Sequence, residues 1–409
     1  MRIITRTIFV LSMVSLLADI ASEMLYPVIP AYLQEIGFSV FMIGVLEGLV
    51  NFTAGFSKGY FGKKSDEKGL RLPFVKLGYF LSNISKPLMA VFTYPIWIFF
   101  VRTLDRLGKG VRTASRDALL SQQATPQTKA RVFGFHRSMD TVGAAIGPMI
   151  ALVFLFYYPG RYKPLFYLAF IPGILSVFLI FLLKEKRQPA STLGKGNFFS
   201  YFRYWNIATP EFRKVVPGLL LFALFNSSDV FLLLATKHAI GSDTLSIMGT
   251  HFNADTITIA AYVLYNLVYA AASYPMGVLA DRLTFKKVVL SGFFLFALVY
   301  AGFAFVSTIP VIFILFAIYG LYAAATEGVI KAWITNLSGE KNTATAVGFY
   351  TSCESICALL ASVIAGAIWS GFGSSTTFLF TAAITILVGA YFLLLTPDRP
   401  IKTGKMSNN

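Results

Sequence analysis

Twelve apolar stretches, each close to the length of a bilayer crossing, decide what this chain can fold into. They run near 6–33, 40–61, 73–93, 95–117, 129–157, 164–183, 213–237, 255–279, 287–306, 309–335, 341–370 and 373–395. A membrane-spanning helix needs about 20 such residues. Composition agrees: 56% of residues are hydrophobic and 13% charged, with a mean hydropathy of +0.68. The runs lack period-two alternation, and a backbone in lipid must satisfy its own hydrogen bonds, so they predict helices and not barrel strands.

A net charge of +16 points to nucleic acid in a soluble protein, but here the basic residues are sided. Arg161, Lys163 and Lys237 fall in loops on one side. Lys63, Lys64, Lys68, Arg71, Lys129, Arg131, Lys184, Lys186, Arg187, Arg282, Lys286 and Lys287 fall on the other. The excess of Lys and Arg marks the cytoplasmic face, which puts both termini inside and leaves no reason to invoke nucleic acid. Arg2 and Arg6 precede an apolar run that continues to Leu33, too long for the core of a cleaved signal, so the run reads as the first span. A bacterial inner membrane is the expected location. Cys353 and Cys357, one helical turn apart in the eleventh run, read as small packing residues: two thiolates are too few for a closed zinc site. No metal or cofactor is expected.

Two basic loops repeat one pattern, Gly62-Lys-Lys-Ser-Asp66-Glu-Lys-Gly69-Leu-Arg71 and Gly277-Val-Leu-Ala-Asp281-Arg282-Leu-Thr-Phe-Lys286-Lys287. The chain therefore divides into an N-terminal six-helix bundle (1–183), a cytoplasmic linker (184–212), a C-terminal six-helix bundle (213–397) and a tail (398–409). Pro189, Gly194 and Gly196 give the linker loop composition, and Phe198, Phe199, Tyr201, Phe202, Tyr204 and Trp205 around Arg203 predict a helix in the headgroup zone. The outer segment 237–255, with His238 and His251, reads as a plain mobile connection before a lid.

Thirteen ionisable residues lie well inside the spans: Asp19, Glu23, Glu47, Arg102, Asp105, Arg106, Lys109, Arg137, Asp140, Asp229, Glu327, Lys331 and Glu354. At about 3 kcal/mol each in lipid, their cost approaches roughly 40 kcal/mol, beyond what a marginally stable fold absorbs. They must face one another, water or a solute. Arg102, Asp105, Arg106, Lys109, Arg112 and Arg116 fall within an arc of about 120° on one helix. Five cations against one acid exceed local neutralisation, so this face is expected to line a polar cavity.

Asp19 and Glu23 share a face of the first span just before Pro27 and Pro30. Two readings stay open: a carboxyl that carries a proton, and a permanent pair with the fourth-span cations. Glu327 and Lys331 are spaced as a mutual pair, with gating as a second role. Asp229 and Glu354 lack an opposite charge within a turn, which points to a partner on another helix or a ligand. His136, one turn from Asp140, reads as a hydrogen-bonded pair before a proton relay. No metal-ligand spacing, phosphate loop or nucleophile motif appears, so an enzyme is not expected.

These motifs resemble the major facilitator superfamily over nearly the whole chain. Its loop signature G-x-x-x-D-(R/K)-x-G-x-(R/K) is matched by Gly62, Asp66, Gly69 and Arg71 and echoed at Gly277, Asp281, Arg282 and Lys287; Glu67 replaces the usual base and Thr284 the second glycine. The resemblance implies that the two Asp residues are conformational latches that meet a helix N-terminus. Its R-x-x-Q-G element appears as Arg106-Leu-Gly-Lys109-Gly110, which implies proton coupling at Arg106. Gly134, Gly143, Gly147 and Pro148 are similar to the fifth-helix signature of its antiporters, except that Ala151-Leu152 stands where Gly-Gly is usual. The resemblance implies a sealed leak path there, and glycines on one face permit close helix approach. Ile20-Ala21 and Pro27-Val28-Ile29-Pro30 are similar to the first-helix signature of twelve-span drug and proton antiporters.

The expected fold is an all-α membrane protein of twelve transmembrane helices in two pseudo-symmetric six-helix bundles. The expected function is a proton-coupled secondary transporter that exports a small organic molecule, working as a monomer. Proton-coupling candidates are Asp19, Glu23, Arg106, Asp140, Asp229 and Glu354; substrate candidates are Arg102, Arg106, Lys109, Glu47, Asp229 and Glu327. The positive helix-four face repels lipophilic cations, so a symporter or exchanger for an anionic metabolite or metal chelate is the alternative. A receptor or scaffold that kept the fold is a further one.

Overall fold

The computed structural model describes residues 3–26, 28–38, 40–158, 160–187, 197–227, 229–240, 245–247, 250–252, 254–306 and 308–395. Among these described residues fifteen α-helices follow in order: α1 (Arg6–Glu23), α2 (Ile29–Glu35), α3 (Val40–Lys68), α4 (Leu72–Val91), α5 (Pro95–Gln122), α6 (Lys129–Tyr157), α7 (Tyr162–Ile180), α8 (Tyr204–Ile207), α9 (Pro210–Phe225), α10 (Val230–Ile240), α11 (Ala254–Arg282), α12 (Phe285–Phe303), α13 (Ile309–Leu337), α14 (Thr343–Phe372) and α15 (Ser374–Leu395). Seven of these are long and apolar enough to cross a membrane by length and composition alone. The charges of α5 and the interruptions described next explain why others fall short of that measure.

The first and seventh apolar runs are each two helices, α1 with α2 and α9 with α10. Prolines 27 and 30 account for the first interruption, because proline lacks an N–H and disfavours helix at the residue before it. The second corrects the expected continuous run over 213–237. Its sequence, Asn226-Ser-Ser-Asp229, supplies side chains that compete for backbone hydrogen bonds. Thr5 caps α1 through Ile8 N and Thr284 caps α12 through Lys287 N.

Part of the outer segment is a two-stranded antiparallel hairpin, β1 (Leu245–Ile247) with β2 (Thr250–Phe252), in register Leu245 with Phe252. It is the exception to an otherwise helical architecture among the described residues. In the linker, a 3-10 turn (Phe198–Arg203) runs into α8. Tyr201 and Tyr204 are buried there while Phe199 is exposed, and Phe202 packs on Phe349 with ring centroids 5.8 Å apart.

The chain forms two compact units. One comprises Met1–Thr125, Phe135–Thr209 and Ile334–Ser355; the other comprises Pro126–Gly134, Pro210–Trp333 and Ile356–Asn409. In the first, α5 packs against α4 and α3, and α7 against α1 and α4; in the second, α15 packs against α12 and α9. The α4/α5 contact is close because Gly78 and Gly108 face each other. A Cβ on Gly78 would lie 2.6 Å from the Gly108 carbonyl oxygen, so backbones meet where a side chain would hold them apart.

Candidate functional site

In the first unit, α1, α4, α5 and α7 enclose a small charged cavity. Glu23 and Tyr26 line it from one side, Lys86 from α4, and Arg102, Asp105 and Arg106 from α5. Its volume of about 30 Å³ admits water or a single small ion, not an organic solute. Asp105 Oδ1 accepts from Ser82 Oγ at 2.6 Å, and Lys86 Nζ donates to the Ser82 carbonyl at 2.9 Å. Lys86, Arg106 and Arg102 all act on the Asp105 charge. Three cations thus face two acids in a pocket whose walls include Met89, Val101 and Phe166. Low-dielectric walls strengthen the residual positive field.

Asp19 lies one turn before Glu23, and the charges acting on it are those of Asp140, Lys109, Glu23 and Arg112. Lys109 in turn feels Arg106, Asp19 and Glu23. The two open readings of Asp19 meet here: it has cations as neighbours, yet no ion pair within 4.0 Å among the described residues. The far end of the stripe is different. Arg116 pairs with Asp117 at 3.0 Å and reaches Asp140 at 4.0 Å, and it donates to Ser15 Oγ at 3.1 Å. His136 Nε2 is 3.7 Å from Asp140, and its Nδ1 meets Ser12 Oγ at 3.2 Å. Asp140 is therefore held by Arg116, Arg137 and His136 as a structural knot joining α1, α5 and α6.

The glycines of α6 explain how α1 comes so near. A Cβ at Gly143 would lie 2.5 Å from the Leu16 carbonyl oxygen, and one at Gly147 would lie 2.7 Å from the Ile20 oxygen and Met24 nitrogen. Pro148 follows inside the helix. Gly134 serves the second unit instead, where its Cα faces the Ser273 carbonyl of α11.

In the second unit Asp229 stands at the α9/α10 interruption and accepts from Tyr319 Oη at 2.7 Å. Around it, Ser227 Oγ meets Tyr300 Oη at 3.2 Å and Asn226 donates to Tyr322 Oη at 3.1 Å. Tyr265 stacks near Tyr319 with centroids 5.0 Å apart. Glu327, on α13, acts on Tyr265 and Tyr322. Glu354 accepts from Tyr350 of its own helix at 3.0 Å. The Glu47 side chain lies outside the described residues.

Both repeated loops close onto a helix N-terminus. Asp66, 1% exposed, accepts from Arg71 Nη2 at 2.9 Å with Oδ1, and from Thr345 N and Oγ1 at 2.7 and 2.9 Å with Oδ2. Thr345 sits in the first turn of α14. Each glycine has its reason. A Cβ on Gly62 would lie 2.5 Å from the Ala344 oxygen, and Gly69 adopts φ +63°, a left-handed turn that ends α3. Beyond the apolar run, burial pushes the Asp66 carboxyl up to about 6, with Arg71 and the Thr345 hydrogen bonds pulling the other way. In the second unit Asp281 accepts from Ala130 N at 2.9 Å, Arg131 N at 3.1 Å and Arg131 Nε at 2.9 Å, in the first turn of α6. The cation there is Arg131; Arg282 is exposed and makes no ion pair among the described residues. Thr284 replaces glycine without strain because its backbone is extended and its hydroxyl caps α12.

A family model, the Major Facilitator Superfamily, matches residues 11–249 and 241–407. The chain belongs to this superfamily. An uncharacterized MFS-type transporter of Methanocaldococcus jannaschii is 31% identical over 394 residues, covering 96% of each chain. Among solved structures, the human organic anion transporter MFSD10 aligns with a TM-score of 0.72 at 13% identity, over 95% of this chain and 99% of that one. The E. coli fucose:proton symporter FucP aligns at 0.75 with 12% identity, over 95% and 98%. At such identities these show the fold: a helical membrane protein of the twelve-helix major facilitator type. It is an integral membrane transporter of small molecules and not an enzyme.

Several residues of this transporter's site escape a reading by residue type alone. Lys86, 4% exposed, sits in the third apolar run and is as costly there as any of the thirteen. Glu185 caps α4, accepting from Arg71 N at 2.8 Å and Leu72 N at 2.7 Å. Thr345 and Tyr319 are visible only once the helices are assembled, since neutral hydroxyls in apolar runs carry no distinguishing signal.

Proposed function

We propose that the protein is a proton-coupled secondary transporter of a small organic anion, working by alternating access between its two bundles. The observation that carries this reading is the α4/α5 pocket, where Lys86, Arg102 and Arg106 outnumber Glu23 and Asp105. Guanidinium forks bind carboxylate or phosphate in two-pronged fashion, so Arg102 and Arg106 are the anchors and Lys86 a point charge beside them. Because the cavity is water-sized in this conformation, binding requires its walls to part. Asp19 and Glu23 are the proton carriers, set beside Lys109 and Arg106, and Asp229 under Tyr319 is the matching acid of the second bundle. The superfamily's organic anion transporter shares the fold; the proposal for this chain rests on its own pocket.

Export is the second reading, favoured by the α6 glycines. Their backbone contact with α1 at Leu16, Ile20 and Met24 closes the seam between α1 and α6, one route by which protons would leak uncoupled. In either reading the chain is a monomer in a cytoplasmic membrane with both termini inside, and Asp66 and Asp281 are latches of the cytoplasmic side. Reconstitution in liposomes with an internal pH dye tests the proposal. Organic anions are expected to evoke proton flux, with Arg102→Ala abolishing it; anion-evoked flux unchanged in that variant contradicts it.

A further inference from the structure

Three acids that hold this fold together touch their cations. Asp66 meets Arg71 at 2.9 Å, Asp117 meets Arg116 at 3.0 Å and Asp281 meets Arg131 at 2.9 Å. Asp105 behaves differently. It stands half-buried on α5 and lines the α4/α5 cavity with Lys86, Arg102 and Arg106, and all three cations act on its charge. Among the described residues, however, none of them comes within the 4.0 Å of an ion pair with it. Its hydrogen bond there is to a neutral group, the Ser82 hydroxyl at 2.6 Å.

Lys86 is committed to neutral partners in the same way. Its Nζ donates to the Ser82 carbonyl at 2.9 Å and to Asn83 Oδ1 at 3.3 Å. Two acids, Asp105 and Asp19, act on it, and Asp105 acts more strongly. The cavity that these side chains border, about 30 Å³, has room for a water and not for a second carboxylate. Opposite charges attract across such a gap. The strong, directional part of a charge pair is its hydrogen bond, and Asp105 makes none with these cations among the described residues. It compensates their charge without taking up their N–H donors.

We propose that Asp105 is a resident stand-in for the carboxylate of the transported solute. It neutralises Lys86 and Arg106 while the site is empty, an arriving organic anion displaces it, and it takes the cations back as the anion leaves. This role rests on the organic-anion reading of the pocket, in which Glu23, the other acid of the cavity, carries the proton. Removing the Asp105 charge has two opposed effects: an entering anion loses its competitor, and a leaving anion loses its replacement.

Two measurements on the purified full-length transporter test this. In Asp105→Ala, sodium formate replacing sodium methanesulfonate at constant ionic strength is expected to raise the melting temperature saturably, because formate restores the missing carboxylate. Wild type and Glu35→Gln, which removes an exposed acid outside the cavity, should not respond. Benzoate, succinate and citrate are the probes of the second measurement. Whichever of them binds wild type should bind Asp105→Asn at least about tenfold more tightly, and in liposomes it should be moved with a lower KM and a lower kcat. Asp105→Asn keeps an acceptor for Ser82 Oγ and serves whether or not Asp105→Ala folds. Formate that leaves the melting temperature of Asp105→Ala unchanged, or raises that of wild type equally, overturns the proposal. So does an affinity in Asp105→Asn no higher than in wild type, a result that leaves the organic-anion reading standing. Formate rescue with none of the three probes bound by either protein overturns that reading, and the displacement step with it.

Discussion

The Asp66 carboxylate accepts the backbone N–H of Thr345 at 2.7 Å, across 279 positions of sequence. A loop of the first sequence half thereby grips the first turn of a helix from the second half, at the positive end of its dipole. Asp281 repeats the arrangement in reverse, gripping the first turn of α6. The pseudo-symmetry of the fold is thus written into two carboxylates, each completing a helix terminus whose N–H groups lack intrahelical partners.

Removing the acceptor takes from Arg71 and the first turn of α14 the buried carboxylate they share. Asp66→Ala is expected to cost about 3 kcal/mol, the magnitude found when one partner of a buried pair is deleted. Glu185→Gln, which keeps one acceptor oxygen for Arg71 N and Leu72 N, should cost about 1 kcal/mol. Thermal denaturation of the purified variants checks both; equal losses would show that the clasp is no stronger than an ordinary cap.

The same group gives stability a pH dependence. Burial raises the Asp66 carboxyl from 3.8 to about 6, so the folded state holds this proton more tightly than the unfolded chain does. Its contribution is full below the unfolded value and is lost as pH rises toward about 6. The stability difference between wild type and Asp66→Asn should fall between about pH 4 and 6.5 and be flat above. A difference that grows with pH in that window contradicts the assignment.

Much of this architecture was legible in the sequence. Apolar length placed the spans, and the glycine and aspartate spacing located the clasps, because both signals are local. The interruption between α9 and α10 does not show in hydropathy, which runs across it; its signal is Asn226-Ser-Ser-Asp229, whose side chains compete for backbone hydrogen bonds. Lys86 carries no local signal, because Ser85 and Pro87 on either side belong to the middle of an ordinary span. Thr345 and Tyr319 needed the assembled fold, since which hydroxyl meets an acid depends on packing and not on spacing.

Close approach of α6 to α1 is a requirement, not a convenience. Gly147→Ala places a methyl 2.7 Å from the Ile20 oxygen and should cost about 1–3 kcal/mol, as overpacking does. It should also reduce transport. Gly371→Ala, whose Cβ meets nothing within 4 Å, is the matched control and should leave both unchanged.

Tyr319→Phe removes the hydroxyl that Asp229 accepts at 2.7 Å. A hydrogen bond to a charged group is worth about 1.5–3 kcal/mol, and the variant is expected to lose stability within that range. Asp229→Asn at the same contact should lose less, because Tyr319 keeps an acceptor. Paired melting curves distinguish the two; a larger loss in Asp229→Asn contradicts the hydrogen-bond account.

The pocket of Lys86, Arg102 and Arg106 carries the central claim, and one measurement addresses it directly. Wild type, Arg106→Ala and Asp19→Asn are reconstituted in liposomes holding a pH dye, and organic anions and lipophilic cations are added in turn. The account predicts proton flux evoked by anions alone, lost in Arg106→Ala and uncoupled from anion movement in Asp19→Asn. Flux evoked by lipophilic cations, undiminished in Arg106→Ala, would contradict it.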